Sequence, residues 1–78
     1  MKNTIKGRIV GTDTTIMSHS GKVYGYIIVE DETDREHIRM KVDANTDYNV
    51  IERGACVDAK MVQLGDTTIL RAVELCGC

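Results

Sequence analysis

Two tyrosines and four basic residues of this sequence are arranged in pairs that skip one residue. The pairs are Lys6 with Arg8, Tyr24 with Tyr26, and Arg39 with Lys41. Because successive side chains of a β-strand point to opposite faces, the members of each pair share a face if their segments are extended. Aromatic rings stack on nucleic-acid bases and cations attract phosphates. The combination is therefore suited to holding a single-stranded nucleic acid.

A solvent-exposed sheet face explains the same pattern. Tyrosine is common in half-buried strands. Tyrosine–arginine and glutamate–lysine neighbours also stabilise sheets across strands without any ligand. Both interpretations fit the residues at this point.

Other kinds of chemistry have weaker support. The two histidines, His19 and His37, have no nearby serine or cysteine that resembles a nucleophile pair, so we expect a protein that is not an enzyme. The acidic "EDETDRE" lacks the spacing and glycine of a calcium loop and is expected to be a solvated turn. No phosphate-binding glycine loop is present.

The cysteines are three in number, an odd count that does not make a disulfide framework. The terminal "CGC" contains Cys76 and Cys78, but a zinc site needs four ligands and no second pair exists. We therefore expect no metal and no cofactor. Cys56 is expected to be a small core residue and the C-terminal cysteines to form a frayed tail.

The composition is that of one small globular domain spanning residues 1–78. Of the 78 residues, 42% are hydrophobic and 28% charged, and the net charge is −2. Five of the acids lie in one segment, residues 30–36, so a local basic face is compatible with the negative total. The longest aliphatic or aromatic run is about "YIIV", and no signal segment is visible, so a soluble, cytoplasmic protein that binds no membrane is expected.

Period-two alternation predicts five strands. The segments are "TIKGRIVG", "VYGYIIVED", "HIRMKVD", "ACVDAKMVQL" and "TTILRAVELC". The first three place alternate residues inside: Ile5, Gly7 and Ile9; Val23, Gly25, Ile27 and Val29; Ile38, Met40 and Val42. For the fourth, either Val57, Ala59 and Met61 or the opposite register with Val62 and Leu64 fits. The inner face of the fifth is undetermined.

The segment "NTDYNVIERG", residues 45–54, interrupts the alternation. Thr46 or Asp47 is suited to starting a short helix, Gly54 to ending it, and Val50 and Ile51 to facing the core from it. A flat sheet of five strands exposes its two edge strands, whereas a sheet closed into a barrel has no edges. The prediction is an all-β fold: a small five-stranded barrel with a short helix between strands three and four.

This order of elements resembles the OB fold. The run "IIVEDETD" is similar to the hairpin of anticodon-binding and replication-protein-A-type OB domains, with Asp34 where glycine is usual. "IERGACVDAKMV" is similar to their entry to strand four, with Met61 in place of a second glycine. Another small β-barrel, such as an SH3-like one, is the alternative.

The resemblance implies a ligand face around strands two and three, flanked by the connections after strands one and four. The matching positions are Lys6, Arg8, Tyr24, Tyr26, Arg39 and Lys41, and His19 could join them. The connection between strands four and five looks too short to contribute. The expected function is binding of single-stranded DNA or RNA, and the alternative is a protein-interaction or subunit module without nucleic acid.

Overall fold

The computed structural model describes residues 3–78 as an all-β chain. The strands are β1 (Thr4–Ile16), β2 (Val23–Asp31), β3 (His37–Val42), β4 (Asp47–Tyr48), β5 (Cys56–Gln63) and β6 (Leu70–Gly77). Within the described residues no helix has the length and apolar character needed to cross a lipid bilayer.

Five of the strands close into a barrel. β1 pairs with β2 and β5, β2 with β3, and β5 with β6, all antiparallel. The parallel pairing of β3 with β6, through Met40–Leu70 and Lys41–Arg71, closes the ring. The prediction of a closed five-strand barrel is confirmed.

The barrel interior is aliphatic and follows the predicted alternation. The buried hydrophobic residues of the first four barrel strands are Ile5, Ile9, Ile27, Val29, Met40, Val42, Val57, Ala59 and Met61. The Met61 register of β5 is therefore the correct one, and Val62 is exposed. Burying a large aliphatic side chain contributes about 1.5–3 kcal/mol, so this set supplies most of the driving force for folding.

Two β-bulges break the period of two. In β6, Met61 pairs with Ala72 and Lys60 with Glu74, so Val73 is the extra residue. Ala72 and Leu75 are consequently both buried although they are three residues apart. In β1, Ile9 pairs with Val29 and Gly11 with Ile28, so Val10 is extra there. A bulge shifts all later side chains to the other face of the strand.

The predicted helix between the third and fourth barrel strands is wrong, because residues 45–54 bond mainly to other parts of the chain. The Thr46 hydroxyl is buried and donates to the Ala72 carbonyl at 2.6 Å. The backbone N–H of Asn49 donates to the Leu75 carbonyl at 3.1 Å, and β4 pairs in parallel with β6. Val50 and Ile51 still pack against the core, as expected, but from an irregular segment.

Candidate functional site

A tyrosine–arginine stack lies on the outer surface of β2 and β3. The Arg39 guanidinium carbon is 4.0 Å from the centroid of the Tyr26 ring. Tyr26 pairs directly with Lys41, and Arg39 pairs with Ile28, so Arg39 is the diagonal cross-strand neighbour of Tyr26. The geometry is that of a cation–π contact between the Arg39 guanidinium and the Tyr26 ring.

Tyr24 extends this surface beyond the end of β3. β3 ends at Val42, which pairs with Gly25, so the outer side of Tyr24 has no β3 neighbour. Tyr24 pairs with Thr15 of β1, and 45% of its surface is exposed. It lies about 7 Å along the strand from Tyr26, on the same face. We call Tyr24, Tyr26, Arg39 and Lys41 the tyrosine face.

Two concavities flank the stack. One, of about 390 Å³, is lined by Gly11, Thr12, Asp13 and Ile28 beside Tyr26 and Arg39. The other, of about 310 Å³, is lined by Thr68, Ile69 and Leu70 beside the same pair. The expectation that the connection between β5 and β6 is too short to contribute is therefore wrong. The tyrosine face lies between a segment of β1 on one side and this connection on the other.

Lys6 and Arg8 lie away from the tyrosine face. Lys6 pairs across the sheet with Asp58 of β5, and Arg8 pairs with Glu30 of β2 and Cys56 of β5. Glu30 is four residues from Tyr26 along β2, about 13 Å at ~3.3 Å per residue. The structure therefore brings together four of the six predicted positions and separates two. His19, exposed in the connection 17–22, has no hydrogen bond to the stack among the described residues.

The acidic turn borders one end of the same face. Glu30 accepts a hydrogen bond from Arg35 and contacts His37 Nε2, each at 3.1 Å. The hydrogen bond to His37, followed by that to Arg35, lowers the pKa of Glu30 from its usual range. Glu30 is therefore ionised at neutral pH, and the ion pair with Arg35 neutralises part of its charge. This pairing weakens the repulsion that the turn exerts on an anion beside Arg39.

The basic residues near the tyrosine face differ in whether they form an ion pair. Arg71 pairs with Lys41 across the β3–β6 junction and forms an ion pair with Asp43 at 3.4 Å. Lys41 has no ion-pair partner among residues 3–78. Of the described residues on this face, Lys41 and Arg39 are thus the cations that are available to an anion.

The cysteine predictions are corrected by the structure. Cys56 and Cys78 form a disulfide bond between the start of β5 and the residue after β6. Cys56 is half-buried and is not a core residue, and the chain end is paired rather than frayed because the Cys78 N–H donates to the Cys56 carbonyl. The Cys76 thiol donates to Glu74 at 3.1 Å, and this bond raises its pKa. A group of three or more potential metal ligands does not occur in the described part of the chain.

The residues that line the two concavities beside Tyr26 and Arg39 were not predicted as site residues, and Asp13, Ile28 and Ile69 are among them. The alternation of β2 alone places Ile28 on the face of Tyr24 and Tyr26, whereas Asp13 follows only once the bulge at Val10 is known, since Asp13 pairs with Tyr26. Ile69 reaches the site through the β5–β6 connection, whose path no periodicity describes. Searches for similar proteins found no matching family model, no matching curated protein and no matching solved structure.

Proposed function

We propose that this chain is an OB-type module that binds single-stranded nucleic acid on its tyrosine face. The observation that carries the proposal is the Arg39 guanidinium held over the Tyr26 ring, with the exposed Tyr24 next to it. Two flat, adjacent groups on an exposed sheet are the arrangement on which bases stack.

The position of this face on the barrel supports the proposal. In OB folds the ligand lies across the second and third strands, between the connections that follow strands one and four. Here the stack lies on β2 and β3, and both neighbouring concavities are open. The closed five-strand barrel is compatible with that fold.

The charges of the tyrosine face determine how the proposed affinity depends on salt. Arg39 and Lys41 neutralise one or two phosphates, so the affinity falls with salt but with a shallow slope. Stacking supplies the larger share of the binding free energy, at ~1–3 kcal/mol for each base. Lys6 and Arg8 are left out of the proposed contact because they lie beyond the acidic Glu30.

The test is the affinity of fluorescent twelve-nucleotide DNA and RNA strands, measured by anisotropy at low and moderate salt. We expect Tyr26→Ala and Arg39→Ala each to weaken binding by roughly tenfold or more, because each removes half of the stack. Tyr48→Ala is the matched control: this tyrosine is 41% exposed on β4, away from β3. Equal losses in Tyr26→Ala and Tyr48→Ala, or an affinity independent of salt, would contradict the proposal.

A second candidate function is self-association through the end of the β1–β2 hairpin. Ile16 is 68% exposed and Met17 is 43% exposed at this end, next to Tyr24. Among the described residues, residues 11–16 of β1 pair only with β2, so their other edge is open to a strand of a second copy.

Light scattering tests this candidate. If the hairpin end associates, the mass rises with protein concentration, and Ile16→Ser returns it to that of a monomer. Val62→Ser, at a 43% exposed position on β5, is the control and should leave the association intact. A constant monomer mass over the whole concentration range excludes this function.

A further inference from the structure

One carboxylate lies within the concavity on the β1 side of the tyrosine face. Asp13 is exposed on β1 and pairs with Tyr26, and it lines this concavity together with Ile28 and Arg39. It forms no hydrogen bond or ion pair with any side chain among residues 3–78, although Arg39 lines the same space. A free carboxylate beside a stacking platform disfavours a phosphate at that position.

The remaining walls of this concavity suit a planar ring. Ile28 contributes an apolar surface, and the Tyr26–Arg39 stack contributes a flat one. The volume of about 390 Å³ is within the lower part of the range of ~300–1,000 Å³ for small-ligand sites. Gly11 contributes no side chain that would block access.

The carboxylate selects among the bases through its chemistry. An ionised carboxylate has two acceptor oxygens and no donor. Guanine alone presents two adjacent donors, N1–H and N2–H, on its Watson–Crick edge. Adenine and cytosine present one amino group next to an acceptor nitrogen, and uracil or thymine presents one N–H between two carbonyls. Single-stranded bases are commonly read on this edge.

We propose that the concavity beside Asp13 is a guanine subsite. The base lies against Ile28 and the Tyr26–Arg39 stack, and the Asp13 carboxylate accepts hydrogen bonds from N1–H and N2–H. This inference rests on the proposed function, because it concerns a base within a strand held on the tyrosine face.

The test compares twelve-nucleotide thymidine strands that carry one central guanine, inosine or adenine, at fixed salt. Inosine keeps N1–H but lacks the amino group. We expect the wild-type protein to bind the guanine strand roughly tenfold or more tightly than the adenine strand, with inosine between them, since hydrogen bonds to a charged group are strong.

Two variants locate the preference at Asp13. Asp13→Ala should remove it and raise the affinity for the all-thymidine strand, because a negative charge is lost. Asp13→Asn should move the preference towards adenine, since an amide donates to N1 and accepts from the amino group. Asp58→Asn is the control: it changes the net charge equally, from an exposed position on β5, and should keep the guanine preference.

The outcomes separate the two proposals. Binding without a preference for guanine over adenine, or a preference that survives in Asp13→Ala, overturns the guanine subsite and leaves the proposed function in place. Failure of every strand to bind at low salt overturns the proposed function, and the subsite with it.

Discussion

Gly7→Ala is expected to destabilise the barrel by at least about 3 kcal/mol, because β1 and β2 approach too closely at this position for any side chain. A Cβ atom placed on Gly7 would lie 1.9 Å from the carbonyl oxygen of Glu30 and 2.8 Å from its carbonyl carbon. Both are backbone atoms of a paired strand, so neither can rotate away. The strands have to separate, which breaks the ladder that holds β2 and its tyrosines in place.

Gly11→Ala on the same strand is the control for this prediction. A Cβ there would lie 3.5 Å from the Ile28 side chain, an ordinary contact. We expect a change within ~0.5 kcal/mol, with a small gain from the lower entropy of the unfolded chain. Urea unfolding measures both variants. If Gly7→Ala and Gly11→Ala have the same midpoint, the close approach of β1 and β2 is not a feature of the native barrel.

Cys78→Ser is expected to lower the free energy of unfolding by about 3 kcal/mol. The disulfide joins residues separated by 22 positions, and cross-linking a loop of this length reduces the entropy of the unfolded chain by about that amount. For a domain of this size the loss is large, since small cores leave a narrow stability margin. The bond also holds the start of β5 where Cys56 pairs with Arg8 of β1.

Urea unfolding with and without a dithiol reductant checks this prediction. Reductant should destabilise the wild-type protein to the level of Cys78→Ser and leave that variant unchanged. Cys76→Ser is the matched control, and its stability should respond to reductant as the wild type does. The raised pKa of Cys76 keeps its thiol protonated at neutral pH, so it attacks the disulfide slowly. Identical midpoints with and without reductant would show that the bond does not form.

The disulfide illustrates what spacing alone cannot determine. The odd number of cysteines and the expectation of a frayed C-terminal tail argued for unpaired thiols. The pairing depends on the register of β5 against β6, in which Val57 lies opposite Gly77 and the next pair is Cys56 with Cys78. Register is a property of two strands together, so one segment read by itself does not reveal it.

The missing helix has a similar cause. The local pattern of residues 45–54, with Thr46 before Val50 and Ile51 and Gly54 behind them, was consistent with a capped helical turn. Thr46 instead bonds to the Ala72 carbonyl and Asn49 to Leu75, both in β6. Partners distant in sequence outweighed a weak local preference, because a single short turn is costly to nucleate.

The candidate site, too, was predicted only in part. The alternation of β2 and β3 placed Tyr24, Tyr26, Arg39 and Lys41 on one face, and the structure keeps these four together. It separates Lys6 and Arg8, since the outer face of that part of β1 adjoins β5 and the acidic end of β2. The bulge at Val10 then brings Asp13 opposite Tyr26.

The all-β character, the inward faces of the first three strands and the tyrosine face could be predicted from the amino-acid sequence, because each follows from side chains that alternate along one strand. The β5 and β6 registers, the two bulges, the disulfide and the residues that flank the tyrosine face became known only from the folded structure. Those features arise from pairing between two segments of the chain, not from the pattern within one. The stability of each pairing depends on which backbone groups and side chains come into contact. The alternation within one strand contains no information about those contacts.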